Sequence, residues 1–393
     1  MNPATMRIGI DAREGFRPHP RGIGLYVRHL AREFAALAPD HEFRLYHQLL
    51  LPPDCDNPFV LAQNQRAVHT DIPGGRLHSW ERLQMPWRLR RDRLDVYHGT
   101  YNTLPPRWPL WKGPPMVVTL HDLIVTWYDD DLHDPFIRYA RRVTPRVVRD
   151  ATLILTVSEW SKRDICERHG CDPDKVRITL NGLHPEVLKG APDGAGDEAR
   201  QRFAEGRPYL FAVGASLERK NTGRLIEAFG LARQRRPDLP HLLLVSGLGK
   251  AVDRFRERAA AAGVLEHVRF LPYLSQRDLI ATYAGAELCV YPSLVEGWGI
   301  PVTEALALGT PVLTSNTSAM PEAGGDDARY FDPHDVESMA VALVDAIEHY
   351  VPTWPQRRDA AMARVRQLTW TRTAEQTLRA YRDAAAILSV GRR

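Results

Sequence analysis

The stretch LCVYPSLVEGWGIPVTEALALGTP, residues 288–311, determines the fold expected for the second half of the chain. Its first four residues form an apolar run typical of a buried strand, and the proline and glycines that follow end that strand in a loop. A helix comes next, because Pro301 suits a first helical turn and Gly309 suits the left-handed position that closes a helix. We therefore expect a strand, a loop and a helix, with Glu296 in the loop and Glu304 in or just after the first helical turn.

These two glutamates fall where ligands bind in open α/β sheets, in the crevice outside the carboxyl ends of the strands. A carboxylate there can accept charge-assisted hydrogen bonds from the hydroxyls of a ribose or a sugar. The alternative is that Glu304 only complements the positive end of its helix and that Glu296 is a solvated loop residue. Taken one at a time, the glutamates favour that alternative.

Strand and helix patterns alternate through both halves of the chain. In the first half, strands are expected at residues 6–11, 42–46, 95–100, 116–120, 153–157 and 176–180; in the second half, at 209–214, 241–246, 268–270, 288–291 and 311–315. Such alternation favours parallel sheets with helices on both faces. A chain of 393 residues is too long for one ordinary core. The sequence therefore predicts an α/β protein with two doubly wound, Rossmann-like domains.

The domain boundaries follow from a change in composition. Residues 186–206 are rich in Pro, Gly, Ala, Asp and Glu and lack an apolar period, which predicts an interdomain linker. The first domain then covers residues 1–185 and the second covers 207–370. A final helical segment occupies 371–393.

Composition and charge exclude several classes of protein. The formal net charge is only +4, and no basic stripe interleaved with aromatic residues appears, so nucleic acid is not an expected partner. The arginines cluster at 88–93 and 138–149, which indicates a solvated face, with anionic lipid or a lipid-phosphate acceptor as the second interpretation. No apolar run approaches the roughly 20 residues of a membrane span, and the N-terminus does not resemble a signal peptide. The four cysteines show no paired metal spacing, which favours a cytoplasmic chain.

Polar groups also end strands in the first half. Gly22 and Gly24 precede a helix, where backbone N–H groups can approach a phosphate. A dinucleotide site is disfavoured, because these glycines come about ten residues after the strand and the second strand ends without an acidic residue. His98 ends one strand, and His121 with Asp122 follows the next. Each histidine could donate to a sugar hydroxyl or a phosphate, or could instead be bonded only to backbone.

A basic pair stands at a comparable place in the second half. Arg219 and Lys220 lie between the strand that ends at Gly214 and a helix expected from about Thr222 to Arg233. A guanidinium and an ammonium beside a helix N-terminus suit a diphosphate. The segment 247–250 is not a Walker loop, because it lacks the leading glycine and the following Ser or Thr.

Together these segments resemble the retaining glycosyltransferases of family 4. The matching parts are the Glu296-x7-Glu304 spacing with its Glu-Gly-aromatic-Gly opening, the Arg219-Lys220-Asn221 string, the glycine loop at Gly22, and residues 156–162 and 316–322. Trp298 stands where the family more often has Phe. The resemblance implies the GT-B fold, in which two such domains face each other across a cleft and the last helix returns to the first domain.

The resemblance also implies roles for the residues above. Arg219 and Lys220, with backbone at Gly22 and Gly24, would stabilise the charge of the leaving diphosphate. Glu296 would bind sugar hydroxyls, Glu304 the ribose, and His121 the transferred sugar. Further donor contacts are expected at Gly214, Ser293, Gly297, Trp298, Gly299 and Ile300, and acceptor-side contacts at His98 and Asp122. No metal or other cofactor is expected, because two cationic side chains take the metal's place and the acidic run 129–131 is more typical of a loop.

The implied reaction is transfer of a hexose from a nucleotide diphosphate sugar with retention at the anomeric carbon. The strings around His98, His121 and Asn316 are most like those of bacterial mannosyltransferases of surface-polysaccharide pathways. We therefore expect GDP-mannose as donor and a glycan or polyprenyl-diphosphate-linked acceptor, met at the inner face of the cytoplasmic membrane. The alternatives are a UDP-sugar or another GDP-sugar, an epimerase that needs no acceptor, and a binding protein without catalysis. Because no persuasive nucleophile is present, front-face attack is favoured over a covalent intermediate.

Overall fold

The computed structural model describes residues 5–18, 20, 22–48, 61–70, 79–107, 113–124, 135–214 and 216–390. Two compact units divide the chain: residues 1–182 with 368–393 form the first, and residues 183–367 form the second. The acidic run 129–131 lies outside the described residues.

The first unit is built on a seven-stranded parallel sheet with the strand order β3-β2-β1-β4-β5-β6-β7. The strands are β1 (Arg7–Asp11), β2 (Glu42–His47), β3 (Gln65–His69), β4 (Val96–Gly99), β5 (Met116–Thr119), β6 (Leu153–Thr156) and β7 (Val176–Ile178). The direction of winding reverses at β1, which pairs with β2 on one side and β4 on the other. Such a switch point opens a crevice at the carboxyl ends of the strands.

Helices cover both faces of this sheet. They are α1 (Ile23–Leu37), a π-helical segment (Trp80–Gln84) that continues into α2 (Met85–Arg91), α3 (Pro135–Asp150) and α4 (Glu159–His169). Because successive strand residues point to opposite faces, Ile8 and Ile10 pack with the α1 residues Tyr26 and Leu30 on one side. Residues of α2 and α3 fill the core on the other side. Ser158 caps α4, accepting a hydrogen bond from Ser161 N at 2.9 Å.

The second unit has a six-stranded parallel sheet with the order β10-β9-β8-β11-β12-β13. The strands are β8 (Tyr209–Val213), β9 (Leu242–Ser246), β10 (Val268–Leu271), β11 (Leu288–Tyr291), β12 (Val312–Ser315) and β13 (Ala328–Phe331). The helices from α5 to α13 are α5 (Pro185–Lys189), α6 (Ala195–Ala204), α7 (Thr222–Arg235), α8 (Val252–Ala261), α9 (Gln276–Gly285), α10 (Ile300–Ala307), α11 (Met320–Gly324), α12 (Val336–Asp345) and α13 (Arg358–Val365). The strand, loop and helix expected from residues 288–311 are all present, and Gly309 has a left-handed φ of 82°.

The segment predicted as a linker, 186–206, is instead largely helical and belongs to the second unit. It contains most of α5 and all of α6. Helix α6 packs on α9 so closely that a Cβ on Gly196 would lie 3.0 Å from Gly285 N. The sequence pattern missed this helix because its buried residues are alanines, Ala195, Ala199 and Ala204, which give little apolar periodicity.

The last helix, α14 (Trp370–Val390), packs within the first unit. Tyr381 is fully buried among residues of α1 and the sheet, and its ring lies 5.7 Å from that of Phe34. A Cβ on Gly182 would lie 2.4 Å from Trp370 N, so the chain passes the start of α14 at a distance only glycine allows. No helix in the described ranges is both long and apolar enough to cross a bilayer.

Candidate active site

The predicted donor residues of the second unit gather at the carboxyl edge of its sheet. Arg219 and Lys220 lie in a 3₁₀ turn (Glu218–Lys220) between β8 and α7. Glu296 lies in the loop between β11 and α10. The adjacent pairing of β8 and β11 brings the two loops together, although the residues are more than 70 positions apart in the chain.

Glu296 is the centre of this group. Its Oε1 accepts hydrogen bonds from Arg219 Nη1 at 3.2 Å, Tyr291 Oη at 2.9 Å and Ser293 Oγ at 2.7 Å, and it also accepts one from Lys220 Nζ. Lys220 Nζ donates as well to Tyr291 Oη at 2.7 Å. No described residue donates to the other carboxylate oxygen, Oε2, which is therefore the oxygen open to a ligand hydroxyl.

Backbone contacts hold the loops around Glu296 together. Leu294 N donates to Arg219 O at 2.8 Å, which joins the loop after β11 to the 3₁₀ turn. Glu296 N donates to Ser318 Oγ at 3.0 Å, and Thr317 Oγ1 donates to Leu294 O at 2.9 Å, which joins the same loop to the one after β12. The charged side chains thus stand on two loops that are fixed relative to one another and to the loop after β12, as a preorganised site requires.

The electrostatics favour an ionised Glu296 between two cations. Its side chain is 14% exposed, and those of Arg219 and Lys220 are 20% and 18% exposed. Burial acts to raise the pKa of Glu296, but the charges of Lys220 and Arg219 and the hydrogen bonds outweigh it, and the pKa is lowered. The two cations and the one carboxylate leave the cluster with a net positive charge that suits a diphosphate.

Glu304 lies apart from this cluster, on α10. Its Oε2 accepts a long hydrogen bond of 3.5 Å from the hydroxyl of Tyr283, a residue of α9. Burial raises the pKa of Glu304 to about 7. The structure therefore holds the two glutamates of the E-x7-E spacing in different electrostatic states, one paired with cations and the other with a phenol.

The segment between the glutamates connects the loop to α10. Ser293 is fully buried and donates to Glu296, and Trp298 is buried at the second unit's sheet edge. Gly297 and Gly299 lead into α10, with Gly299 as its N-cap and Ile300 exposed at its first turn. Gly214 is needed for packing, because a Cβ there would lie 2.8 Å from Val245 Cγ1 on β9.

In the first unit, His121 lies just beyond the carboxyl end of β5. Burial lowers the pKa of His121 to about 4, against the opposing effect of its hydrogen bond to the Thr100 backbone, so the ring is neutral at pH 7. Its Nε2 is buried and has no hydrogen-bond partner among the described residues. The ring of Tyr26 packs edge-on against it, with the centroids 4.8 Å apart. Nε2 of His121 could therefore form a hydrogen bond with a ligand.

The two glycines of the loop before α1 have different surroundings. Gly22 is the N-cap of α1, has a φ of 45°, and has open space where a Cβ would be. Gly24 is packed beneath the preceding loop, since a Cβ there would lie 2.6 Å from Glu14 O. The lack of a side chain at Gly24 is thus explained by packing, whereas Gly22 keeps the start of α1 uncovered.

His98 does not occupy the acceptor-side position predicted for it. The residue is fully buried, with Nδ1 2.7 Å from Tyr381 Oη and Nε2 2.7 Å from Thr119 Oγ1. Both ring nitrogens are therefore already hydrogen-bonded inside the first unit, and none remains for an acceptor. Asp122, the other acceptor-side prediction, is partly exposed and accepts a hydrogen bond from Ile124 N at 3.0 Å.

Several side chains that complete these groups are not predicted from the sequence. Tyr291, the last residue of β11, could have been found from its place at a strand end. Tyr283 and Ser318 offered no such signal. In the first unit, Arg13 forms a buried ion pair with Asp11 at the end of β1. No group of three or more His, Cys, Asp and Glu side chains within the described ranges is placed to hold a metal ion.

Solved structures share this architecture across nearly the whole chain. The crystal structure of WaaG, a glycosyltransferase involved in lipopolysaccharide biosynthesis, aligns with a TM-score of 0.69 at 19% identity, covering 95% of this chain and 98% of that one. Two parallel-sheet, Rossmann-like units with such neighbours define the GT-B fold.

The family follows from two sequence models. The model described as Glycosyltransferase Family 4 matches residues 20–187, and the one described as Glycosyl transferases group 1 matches residues 196–363. The chain belongs to the family 4 glycosyltransferases.

Curated relatives agree with this assignment. The O-antigen chain mannosyltransferase B of Escherichia coli is 26% identical over 92% of this chain and 96% of its own length. The D-inositol 3-phosphate glycosyltransferase of Corynebacterium glutamicum (strain R) is also 26% identical, over 79% of this chain and 72% of its own length. The chain is thus a glycosyltransferase of glycan biosynthesis.

Proposed function

We propose that this glycosyltransferase moves mannose from GDP-mannose, with retention and without a metal ion, onto a glycan or polyprenyl-diphosphate-linked acceptor. The cluster of Arg219, Lys220 and Glu296 is the observation on which the proposal rests. Similarity to the O-antigen chain mannosyltransferase supports the choice of sugar. The transfer would take place at the inner face of the cytoplasmic membrane, where a lipid-linked acceptor is found.

In the proposed reaction, an acceptor hydroxyl attacks the anomeric carbon while the bond from that carbon to the β-phosphate oxygen breaks. The proton of the hydroxyl passes to the departing diphosphate on the same face, so no protein nucleophile is required. Charge develops on the β-phosphate oxygens as the bond breaks. Donors already oriented toward that charge lower the barrier most, and Arg219 and Lys220 supply two of them.

Three further side chains have a proposed contact with the donor. Glu296 would use Oε2 to accept a hydrogen bond from a sugar hydroxyl, since Oε1 is already saturated. Glu304, as a carboxylate, would accept hydrogen bonds from the ribose hydroxyls. The neutral ring of His121 would accept a hydrogen bond from a sugar hydroxyl at Nε2.

The donor is tested by thermal denaturation with GDP-mannose, GDP-fucose, UDP-glucose and UDP. A ligand at about 100 times its dissociation constant adds about 2.7 kcal/mol to the free energy of unfolding. We expect the largest shift with GDP-mannose. A larger shift with UDP-glucose would replace the donor assignment and leave the family assignment intact.

Retention and metal independence are tested by forming and analysing the product. Incubation of GDP-mannose with a polyprenyl-diphosphate-linked glycan in excess EDTA should give a mannoside, and NMR should show the α-anomer of the donor preserved. Loss of all turnover in EDTA, restored by Mg²⁺, would overturn metal independence. A β-mannoside would overturn retention, and an altered sugar nucleotide formed without acceptor would indicate an epimerase.

A further inference from the structure

One helical segment of the first unit displays large apolar side chains to solvent. Leu83, in the π-helical segment, is 61% exposed, and Trp87, on α2, is 49% exposed. They are four residues apart and therefore lie on one side of the helix. The opposite side is in the core, where Met85 and Leu89 are almost completely buried. The helix thus has an apolar patch beyond the one that its fold uses.

Arginines surround this patch. Arg82, Arg90 and Arg91 are exposed, and Arg88 is half-buried. The guanidinium carbons of Arg91 and Arg88 lie 5.3 Å and 5.7 Å from the centroid of the Trp87 ring. The one acidic residue between 79 and 91, Glu81, is 1% exposed. We call Leu83, Trp87 and these four arginines the Trp87 face; its exposed charge is entirely positive.

A second arginine-rich helix, α3, contacts the same helical segment through the buried Glu81. Tyr139 of α3 donates to Glu81 Oε1 at 2.8 Å, and Arg146 of α3 pairs with the same oxygen at 3.5 Å. The α3 arginines Arg138, Arg141 and Arg142 are exposed. The helix that contacts this segment is therefore also rich in exposed positive charge.

The Trp87 face also starts near the carboxyl edge of the sheet. Glu81 Oε2 accepts a hydrogen bond from Thr103, which follows β4, and lies 3.7 Å from Nη2 of Arg13, which follows β1. His121 follows β5 at the same edge. A surface held at the Trp87 face is thus next to the edge where the first unit would receive an acceptor.

We propose that the Trp87 face docks the first unit on a membrane surface that contains anionic lipid, with Leu83 and Trp87 inserted at the headgroup level. This inference rests on the proposed lipid-linked acceptor. Indole rings prefer the membrane interface, and an apolar patch flanked by arginines is typical of helices that lie in it. A second copy of the chain is a poorer occupant, because a symmetric contact would place the arginines of both copies against one another.

The test is flotation of the full chain with vesicles of equal parts phosphatidylglycerol and phosphatidylcholine. Wild type should float with these vesicles and not with phosphatidylcholine alone. Leu83→Ser with Trp87→Ser should lower the partition coefficient at least about tenfold, as loss of two inserted side chains requires. Arg82→Gln, Arg90→Gln and Arg91→Gln together should lower it about a hundredfold at low salt, since each basic residue contributes roughly fivefold.

The matched control is Tyr273→Ser with Val341→Ser, two residues of the second unit that are 64% and 49% exposed. This pair should leave flotation unchanged. An equal loss in the control, or binding that ignores phosphatidylglycerol, would overturn the proposal. A change of mass in light scattering for the Leu83 and Trp87 variant, with flotation unchanged, would identify the face as a contact between copies and would also overturn it.

Donor binding separates this proposal from the proposed function. The thermal shift with GDP-mannose should be the same for wild type and for all three variants, because none of the changed residues belongs to the donor cluster. If that shift is retained while flotation fails, the membrane surface is wrong and the transferase assignment stands.

Discussion

His98 Nδ1 lies 2.7 Å from the hydroxyl of Tyr381, a residue 283 positions later in the chain. This hydrogen bond joins β4 of the first sheet to the last helix, α14. The other ring nitrogen bonds Thr119 on β5, whose hydroxyl lies 3.0 Å from that of Tyr26 on α1. Four elements of the first unit therefore meet through one buried polar chain.

Removing the Tyr381 hydroxyl should destabilise the first unit. Tyr381→Phe keeps the ring but leaves a buried histidine nitrogen without its partner, which costs about 1–3 kcal/mol. Urea unfolding followed by circular dichroism measures the change. Tyr273→Phe, on a side chain that is 64% exposed, is the control and should be neutral. Equal stabilities of the two variants would show that the bond contributes nothing.

His98 should also make the fold sensitive to acid. Burial, with a smaller effect of His121, lowers the pKa of His98 from 6.5 to about 3, so the folded state resists protonation while the unfolded chain accepts it below pH 6.5. The stability due to a neutral His98 is therefore complete above pH 6.5 and is lost progressively as the pH falls toward 3. At pH 5 the loss is about 2 kcal/mol.

His98→Asn should remove that part of the pH dependence. The measurement is the free energy of unfolding of wild type and variant between pH 5 and pH 7.5. We expect the two curves to converge at low pH, because the variant has no proton to bind at this site. Parallel curves would mean that His98 titrates normally in the folded protein.

Glu304 should impose a pH dependence of its own, on donor binding. Burial raises its pKa to about 7, so most Glu304 side chains are protonated at pH 6 and ionised at pH 8. The proposed contact with ribose needs the carboxylate, and donor affinity should therefore rise about tenfold across that range. Titration calorimetry with GDP-mannose at several pH values is the measurement.

Glu304→Gln is the matched variant, because the amide keeps the shape and does not titrate. Its affinity should be weaker than that of wild type at pH 8 and nearly constant with pH. If donor affinity changed with pH as steeply in the variant as in wild type, another group would be responsible for the pH dependence.

The rule that polar residues just after parallel strands meet at one sheet edge, here called the strand-end rule, explains why the sequence predicts the Glu296 cluster well. The sequence predicts Glu296, Arg219 and Lys220 at one sheet edge because each follows an apolar strand, and parallel strands bring their carboxyl ends to the same side. The structure has all three in direct contact. The rule uses only local sequence, which is why it worked without knowledge of packing.

The same rule failed for His98, since it places a residue at an edge without showing what covers it. His98 is covered by Tyr381, which lies on α14 at the other end of the chain. Helix α6 was missed for a related reason: its alanines and Gly196 reveal a buried face only when α9 is packed against them. Contacts between elements distant in sequence decide both cases.

Arg219 and Lys220 are proposed to stabilise the departing diphosphate, and the decisive measurement is kcat of Arg219→Ala with Lys220→Ala at saturating donor. Lys189→Ala with Arg235→Ala, two exposed cations of the second unit, is the control. If the claim holds, kcat falls by roughly three or more powers of ten in the first variant and stays normal in the control. A kcat within a few-fold of wild type, with only KM changed, would contradict it.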